Sequence, residues 1–340
     1  IEIPPLPFFS KTFFNRFIWE EFQLGQALKD YHIDVFHSLY QSLPRGSEKI
    51  GSIVTIHDAI PWRFPFERKQ LIYRWYTDLR KDLIKKRANK VITVSETSKL
   101  DFALIYGIKP ETIEVTYESV DQEFTKEYSS DEIKKFKRQF NVSNKFILYT
   151  GGLKRHKNLR MLVKSFAILV NEHGYTGDLY ILGAIRKNMA TSPFIYYQIG
   201  DLEHYAKLKQ LSDKVKFIGV VSREEMSLFM HSAECFVSLS LYEGFGLPAL
   251  EAMTSGCPSV LSNLGAYPEI AKGAALFVYP YGPHRIAEAL NKVVSNKLLR
   301  QELINEGQQK SKQYDPFKIA KRILEIYNET YDDYKISFQP

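Results

Sequence analysis

The stretch SLYEGFGLPALEAMTSGCPSVLS, residues 240–262, carries the clearest structural signal in the sequence. It follows an apolar strand, turns through Gly244 and Gly246, enters a helix with Pro248 near its first position, and leaves that helix at Gly256 before the next strand. A glycine turn into a helix exposes unpaired backbone N–H groups at the positive end of the helix dipole. The sequence therefore predicts an anion site at this turn, suited to phosphate.

Two carboxylates accompany the turn. Glu243 lies just before it, and Glu251 lies about one helical turn inside the helix. Two carboxylates would repel a phosphate, but each can accept two hydrogen bonds from a diol of the kind that a sugar nucleotide offers. A simpler interpretation stays open, in which both are solvated acids favoured by the helix dipole.

The same turn also fits a dinucleotide-binding fingerprint, because Gly244, Gly246 and Ala249 follow the pattern G-x-G-x-x-A. That fingerprint requires an acidic residue at the end of the next strand to hold the ribose. This sequence has Ser262 and Asn263 there. The dinucleotide interpretation is therefore the weaker one.

Short apolar runs alternate with longer helical patterns along almost the whole chain, which is typical of parallel α/β units. Most of the runs are apolar on both faces, as in strands covered by helices on two sides of a doubly wound sheet. The predicted strands span residues 34–38, 52–58, 90–95, 145–151, 178–183, 215–219, 234–239, 257–262 and 275–280.

The length of 340 residues favours two domains. A polar, charged stretch at 122–145 separates two groups of strands, and we place the hinge there. The first predicted domain is 1–140 together with a returning helix at 316–340, where apolar residues recur at helical spacing after a proline. The second predicted domain is 141–315.

Hydrophobic content of 44% and charged content of 25% exclude a disordered, collagenous or membrane-spanning chain. The only two cysteines are Cys235 and Cys257, so we expect no disulfide framework, and no Cys/His cluster has metal-ligand spacing. The sequence therefore predicts a packed protein of a reducing compartment.

The net charge of +7 is concentrated between residues 63 and 90. Apolar side chains recur there at helical spacing, namely Ile72, Trp75, Tyr76, Leu79 and Leu83. One interpretation is a helix buried against its own sheet with a solvated basic back. The alternative is contact with an anionic membrane surface. Nucleic-acid binding is not expected, because no recognised nucleic-acid module is present.

EGFGLPALE at 243–251 resembles the E-x7-E element of the retaining GT-B glycosyltransferases of family four, also called group 1 glycosyltransferases. The likeness extends to KFILYTGGLKRHKNLRMLVKSF at 145–166, VKFIGVVSREEMSLFM at 215–230, TIHDAIPWRFP at 55–65 and KVITVSETSK at 90–99. It implies the GT-B fold, in which two Rossmann-like domains face a cleft and the final helix crosses back. The family's opening strand and glycine loop are not found before Gly25, so we expect a truncated or processed first domain.

The resemblance also implies roles for particular residues. Lys157 matches the lysine that holds the donor diphosphate, and Glu251 matches the acceptor of the ribose hydroxyls. Glu243, with the backbone at Phe245, would hold hydroxyls of the transferred sugar. His57 matches a histidine near the acceptor, where an imidazole can donate or relay a proton.

The catalytic residues implied in this way are Glu243, His57 and Lys157. The implied donor-binding residues are Gly152, Arg155, Lys157, Gly183, Phe217, Ile218, Glu243, Gly244, Phe245, Gly246, Leu247 and Glu251. The resemblance departs at Gly152, where family members often have arginine, and we expect Lys154 or Arg155 to supply that charge.

Family members are retaining and need no metal, and no D-x-D triplet occurs in this sequence. We therefore expect no cofactor and no metal, with Lys157 and the helix from Leu247 carrying the charge of the leaving group. We favour a same-face displacement in which the leaving phosphate accepts the acceptor proton.

HKN at 156–158 together with LYEGFGLPALEAM looks most like mannosyltransferases of surface-polysaccharide assembly, which implies GDP-mannose as donor and a glycan or lipid-linked acceptor. A UDP- or dTDP-sugar donor stays open, and so does a sugar-nucleotide 2-epimerase of the same architecture. The expected location is cytoplasmic, with peripheral contact at the inner face of the membrane through residues 63–90.

Overall fold

The structure is a computed structural model that describes residues 18–64, 71–183 and 199–337. The strands are β1 (Val35–Ser38), β2 (Gly51–Ile56), β3 (Lys90–Thr93), β4 (Ile113–Val115), β5 (Phe146–Thr150), β6 (Asp178–Leu182), β7 (Val215–Gly219), β8 (Cys235–Ser238), β9 (Ser259–Ser262) and β10 (Ala275–Val278). Each of the nine predicted strands is present, and β4 is an additional one.

The α-helices are α1 (Leu24–Asp30), α2 (Ile60–Arg63), α3 (Leu71–Arg87), α4 (Glu96–Tyr106), α5 (Ser130–Gln139), α6 (Leu159–His173), α7 (Ile199–Leu208), α8 (Arg223–Ser232), α9 (Leu247–Thr254), α10 (Tyr267–Ile270), α11 (Pro283–Ser295), α12 (Lys297–Ser311) and α13 (Pro316–Ser337). Several of these helices begin at a serine whose side chain caps the first turn. Ser95, Ser129 and Ser222 each cap a helix, the last two in full capping boxes.

The contacts divide the chain into two compact units. The first unit is Ile1–Tyr117 with Phe317–Pro340, and the second is Glu118–Pro316. The sequence analysis assigned residues 118–140 to the first domain, whereas their contacts group them with the second. The reason is packing: the Phe136 ring lies edge-on to Phe229 at 4.9 Å between centroids.

The first unit contains a parallel sheet in the order β1-β2-β3-β4. Every residue of β2 is buried, as its continuous apolar sequence predicts. Helix α13 packs on this sheet through Ile326, which lies in one cluster with Ile53 and Ile92. The edge strand β4 was not predicted because only three residues pair, and one of them is Glu114.

The second unit contains a parallel sheet in the order β10-β9-β8-β5-β6-β7. The chain moves from β5 outward to β7, then returns to β8 on the other side of β5 and moves outward to β10. The order therefore reverses between β5 and β8. In open parallel sheets, ligands bind at the carboxyl ends of the strands where such a reversal occurs. The topology places the candidate site of this unit in the loops that follow β5 and β8.

Helix α3 differs in part from its predicted apolar stripe. Tyr76 is buried, but Trp75 is 60% exposed, so its predicted place in the stripe is wrong. The buried face instead includes Tyr76, Arg80 and Ile84, which follow one another at intervals of four residues. Arg80 can occupy that face because it pairs with the buried carboxylate of Glu20 and its guanidinium lies over the Tyr76 ring.

Candidate functional site

The loops after β5 and β8 meet at the point where the strand order reverses. The first loop ends in a short 3-10 turn, Arg155–Lys157, directly before helix α6. The second loop contains Leu241, whose backbone N–H donates to the carbonyl oxygen of His156 at 2.7 Å. This hydrogen bond holds the two loops side by side.

Lys157 and Glu243 form the centre of the site. Lys157 Nζ donates to Glu243 Oε1 at 2.6 Å, and the two side chains are only 17% and 11% exposed. A charge-assisted hydrogen bond this short between two largely buried groups fixes both of them. The structure thus brings together two of the three predicted catalytic residues, which are 86 positions apart in the sequence.

The ionisation of Glu243 results from two opposing effects. Burial by itself raises the pKa of this carboxyl, but the Lys157 ammonium and hydrogen bonds from Lys157 and Ser240 outweigh it, so the pKa lies below its usual range. Tyr267 also points here, with its hydroxyl 3.4 Å from Glu243 Oε1 and donating to Ser238 at 2.6 Å. Glu243 is therefore a carboxylate held in place from several sides.

The glycine turn before helix α9 is as the sequence predicts. Gly246 has φ of +103°, a conformation that side chains rarely adopt, and a Cβ there would lie 2.6 Å from Cε1 of Tyr267. Helix α9 begins at Leu247 with Pro248 in its first turn. Phe245 is buried edge-on against the Tyr314 ring at 5.6 Å between centroids. Packing thus fixes the backbone of this turn.

Glu251 lies on helix α9 and is held by a different cation. Its Oε1 accepts from Arg223 Nη1 at 2.8 Å, with the carboxylate side chain 10% exposed and the arginine 64% exposed. Burial raises the pKa of Glu251, and Arg223 only partly offsets that effect. The two predicted carboxylates are both buried and cation-paired, so the interpretation as solvated helix-start acids is wrong.

The other predicted donor-binding glycines lie at strand ends near this centre. Gly183 directly follows β6 and has φ of +141°, and a Cβ there would overlap the carbonyl oxygen of Gly151. Gly152 is different, because a Cβ at that position would meet nothing within 4 Å. The Gly152 carbonyl accepts from the Tyr149 hydroxyl at 3.1 Å. Arg155 is half-buried, and its role in supplying the charge expected at Gly152 stays a prediction.

Phe217 and Ile218, the predicted base-binding residues, belong to β7 at the edge of the second sheet. They line a cavity of about 580 Å³ with residues of helix α7, including His204 and Lys207. A role for both residues in binding the base stays a prediction.

His57, the third predicted catalytic residue, belongs to the first unit. It follows β2 directly, is exposed, and has its Nε2 3.2 Å from the carbonyl oxygen of Leu39. The neighbouring Asp58 accepts from the backbone N–H of Ile60 at 2.9 Å, at the start of helix α2. The proton-relay role of His57 stays a prediction.

The basic segment 63–90 uses several of its cations internally, although Arg68 and Lys69 lie outside the described residues. Arg63 pairs with Asp101, Arg80 with Glu20, Arg87 with Glu48 and Lys90 with Glu329. Lys85 and Lys86 are exposed. The part of this charge that faces solvent is thus smaller than the sequence count indicates.

The described residues contain neither a metal-binding cluster nor a membrane-spanning helix. Within 18–64, 71–183 and 199–337, no group of three or more His, Cys, Asp or Glu residues is arranged to hold a metal ion. In the same ranges, every helix is too short or too polar to cross a bilayer. That the protein needs no metal stays a prediction.

Sequence reasoning missed three residues of this site, Arg223, Tyr267 and Ser240. Ser240 and Tyr267 contribute hydroxyls around Glu243, and nothing in their local sequence marks them. Arg223 did carry a signal, because an arginine in the first position of a helix is disfavoured by the helix dipole. Such a local conflict often marks a functional position.

Two family models match the chain. Residues 130–310 match the model described as glycosyl transferases group 1, and residues 1–124 match the one described as glycosyltransferase family 4. An uncharacterized glycosyltransferase of Methanocaldococcus jannaschii is 29% identical over 244 residues, which are 70% of this chain and 59% of the relative. The O-antigen chain mannosyltransferase RfbU of Salmonella typhimurium is 30% identical over 227 residues, 67% of this chain and 56% of the relative. The chain thus spans less than two thirds of the length of either relative.

Among solved structures, HepE of Anabaena in complex with UDP superposes with a TM-score of 0.74 at 19% identity, over 90% of this chain and 81% of that one. This likeness and the two parallel α/β sheets confirm the predicted GT-B fold class. Because the group 1 model covers more than half of the 340 residues, the match extends well beyond the single motif at 243–251. The chain belongs to the group 1 glycosyltransferase family.

Proposed function

We propose that this protein is a retaining hexosyltransferase that moves mannose from GDP-mannose to a glycan or lipid-linked acceptor in polysaccharide assembly, without a metal. Membership of the family and the name of the Salmonella relative, an O-antigen chain mannosyltransferase, support the reaction class. The HKN sequence at 156–158 favours the same sugar.

The observation that carries the proposal is the buried Lys157–Glu243 pair at the reversal of strand order. A diphosphate offers Lys157 more negative charge than one carboxylate does, so a bound donor would draw the ammonium away from Glu243. The released carboxylate can then accept hydrogen bonds from the hydroxyls of the sugar. One pair thereby supplies both a cation for the leaving group and an acceptor for the transferred group.

The proposed reaction is a same-face displacement. The bond between the anomeric carbon and the diphosphate oxygen breaks, and the acceptor hydroxyl oxygen bonds to that carbon on the same face. The hydroxyl proton passes to the departing phosphate oxygen. Lys157 and the backbone N–H groups at the start of helix α9 stabilise the charge that develops on the diphosphate. His57 is proposed to assist on the acceptor side by donating or relaying a proton.

The nucleotide is the first point to test. The Anabaena neighbour was solved with UDP, so a uridine donor is the main alternative to GDP-mannose. We expect thermal-shift measurements with GDP, UDP, dTDP and ADP to give the largest stabilisation with GDP, since only a nucleotide that binds the native state stabilises it by mass action. A larger shift with UDP would indicate a UDP-sugar as the donor instead of GDP-mannose. No shift with any of the four nucleotides would refute nucleotide-sugar transfer.

Turnover then distinguishes transfer from epimerisation. Incubated with donor alone, a transferase hydrolyses it slowly at most, whereas a 2-epimerase converts it without an acceptor. We expect Lys157→Ala and Glu251→Ala each to lose about ten- to a hundredfold in donor use, as the loss of one charge-assisted hydrogen bond implies. Lys134→Ala is the matched control, because Lys134 forms an exposed ion pair with Asp131. Unchanged kinetics in both test variants would remove these residues from the site.

We also propose a peripheral contact with anionic membrane through the exposed part of segment 63–90, where Lys85 and Lys86 face solvent on a helix that also exposes Trp75. At about 1 kcal/mol for each cation near the surface, this contact would be weak and reversible. Co-sedimentation with liposomes should require anionic lipid and should fall in a Lys85→Ala/Lys86→Ala variant. Binding that does not depend on anionic lipid would contradict the contact.

A further inference from the structure

We propose that Arg223 is a positioning residue for donor binding, which acts by holding the Glu251 carboxylate in its charged form and in one orientation. The inference rests on the proposed function, since it assigns Glu251 to the nucleotide of the donor. Arg223 itself needs no contact with the sugar or with the reacting atoms.

The geometry supports a positioning role. Arg223 is the first residue of helix α8, whose start is fixed by the capping box of Ser222 and Glu225. The Glu225 carboxylate is used in that box, where its Oε2 accepts from the Ser222 backbone N–H at 2.6 Å. Arg223 instead reaches across to helix α9 and bonds Glu251 at 2.8 Å. Its guanidinium therefore connects the loop after β7 to the helix that begins at the glycine turn.

The position is electrostatically unusual. A cation in the first turn of a helix meets the positive end of the dipole and is disfavoured there by a few tenths of a kcal/mol up to about 1 kcal/mol. The capping box of helix α8 does not involve Arg223, because Ser222 and Glu225 form it between themselves. The contact that accounts for Arg223 is the buried carboxylate of Glu251.

The effect on Glu251 follows from the charges that act on it. Arg223, from helix α8, favours the carboxylate, whereas burial and the charge of Asp121, which precedes the 3-10 turn Gln122–Thr125, favour the protonated form. The pKa of Glu251 is already above its usual value with Arg223 present. Removal of Arg223 leaves only the effects that raise it, so the carboxyl becomes neutral at a higher pH.

The charged form matters because Arg223 occupies Oε1 and leaves Oε2 for a diol. A carboxylate oxygen can accept hydrogen bonds from both hydroxyls of a ribose. A protonated carboxyl carries an O–H donor and therefore offers the ribose fewer acceptor positions. Loss of Arg223 should therefore weaken nucleotide binding in two ways: the side chain becomes free to rotate, and a larger fraction of it is protonated as the pH falls.

The experiment measures GDP affinity by calorimetry between pH 5.5 and 8.5 for wild type, Arg223→Ala, Arg223→Lys and Glu251→Gln. Arg223→Ala should bind about tenfold more weakly at pH 7, and its affinity should fall at a higher pH than that of wild type. Arg223→Lys should restore most of the affinity. In a Glu251→Gln background, Arg223→Ala should change affinity less than twofold, because the two residues act as one unit.

The matched control is Arg285→Ala. Arg285 lies in the first turn of helix α11 in the same unit, is 85% exposed and faces Glu288 across an exposed pair. Arg285→Ala should leave both the GDP affinity and its pH profile unchanged.

A purely structural role of Arg223 would lower the melting temperature and reduce affinity equally at every pH and in both backgrounds, which would overturn the proposal. If Glu251→Gln weakens GDP binding while Arg223→Ala matches wild type, the positioning role fails and the proposed function stands. If wild type binds none of GDP, UDP, dTDP and ADP, the proposed function fails first.

Discussion

Removal of Lys157 should destabilise the second unit because it leaves the charge of Glu243 buried without its partner. The Glu243 side chain is 11% exposed and that of Lys157 is 17% exposed, so water screens neither group well. Breaking a buried ion pair by removing one member costs about 3–5 kcal/mol, far more than the 0.2–1 kcal/mol typical of an exposed pair. We expect Lys157→Ala to lie in the first range.

The pH dependence gives a sharper test, because its sign should change. In wild type the pKa of Glu243 lies below the unfolded value of 4.5, so this group contributes stability above pH 4.5 that is lost as the pH falls through the folded pKa. Without Lys157, burial becomes the main effect and the pKa of Glu243 should rise above 4.5. The variant should then regain stability as the pH falls from 7 toward 5, because the folded state takes up the proton.

Calorimetric unfolding of wild type and Lys157→Ala at pH 7 and pH 5.5 measures both effects. Lys157→Met with Glu243→Gln should recover much of the loss, since no buried charge remains. Lys134→Ala removes the same charge from an exposed pair and should change stability by less than about 0.5 kcal/mol. A loss under 1 kcal/mol in Lys157→Ala, or a pH dependence parallel to that of wild type, would refute the reasoning.

Two further predictions concern the first unit and the second unit in turn. Burial, with a smaller contribution from the charge of a neighbouring histidine, lowers the pKa of His37 from 6.5 to about 4, so stability of the first unit should be complete above pH 6.5 and decrease as the pH falls toward 4. Tryptophan fluorescence reports this, because all three tryptophans precede residue 118, and a His37→Gln variant with an unchanged pH slope would contradict it. In the second unit, Gly183→Ala should destabilise by more than about 1 kcal/mol because its Cβ would overlap the Gly151 carbonyl, whereas Gly152→Ala should be close to neutral. Equal melting temperatures for the two glycine variants would refute this difference.

The strands could be predicted because burial on both faces leaves a continuous apolar run, as in the fully buried β5 and β8. The prediction failed where a strand or a buried position contains a charged residue, and where an exposed position contains an apolar one. Strand β4 is an edge strand of three residues with Glu114 in its middle, so it contains no continuous apolar run. Trp75 is apolar but exposed, while Arg80 occupies the buried face that the sequence assigned to apolar side chains.

The two carboxylates of the site could be identified from the spacing around the glycine turn, but their cation partners could not. Lys157 is 86 residues from Glu243 and Arg223 is 28 residues from Glu251, so each pair depends on the strand order rather than on any local pattern. Sequence alone therefore located the acids and left their ionisation undetermined. The resemblance supplied Lys157, but it gave Arg223 no role of its own, although the stretch 215–230 contains that residue.

The two pairs have different surroundings, which give the two carboxylates different pKa shifts. Both carboxylates are almost equally buried, yet the pKa of Glu243 is lowered and that of Glu251 is raised. Part of the difference lies in the cation: Lys157 is largely buried, whereas Arg223 is 64% exposed and water screens its charge. The neighbours act in the same sense, because a hydrogen bond from Ser240 lowers the pKa of Glu243 and the charge of Asp121 raises that of Glu251. Glu243 should thus stay ionised over the working pH range, and Glu251 should be the group whose protonation weakens nucleotide binding at low pH. An acid limb of donor affinity that survives unchanged in Glu251→Gln would show that another group causes it.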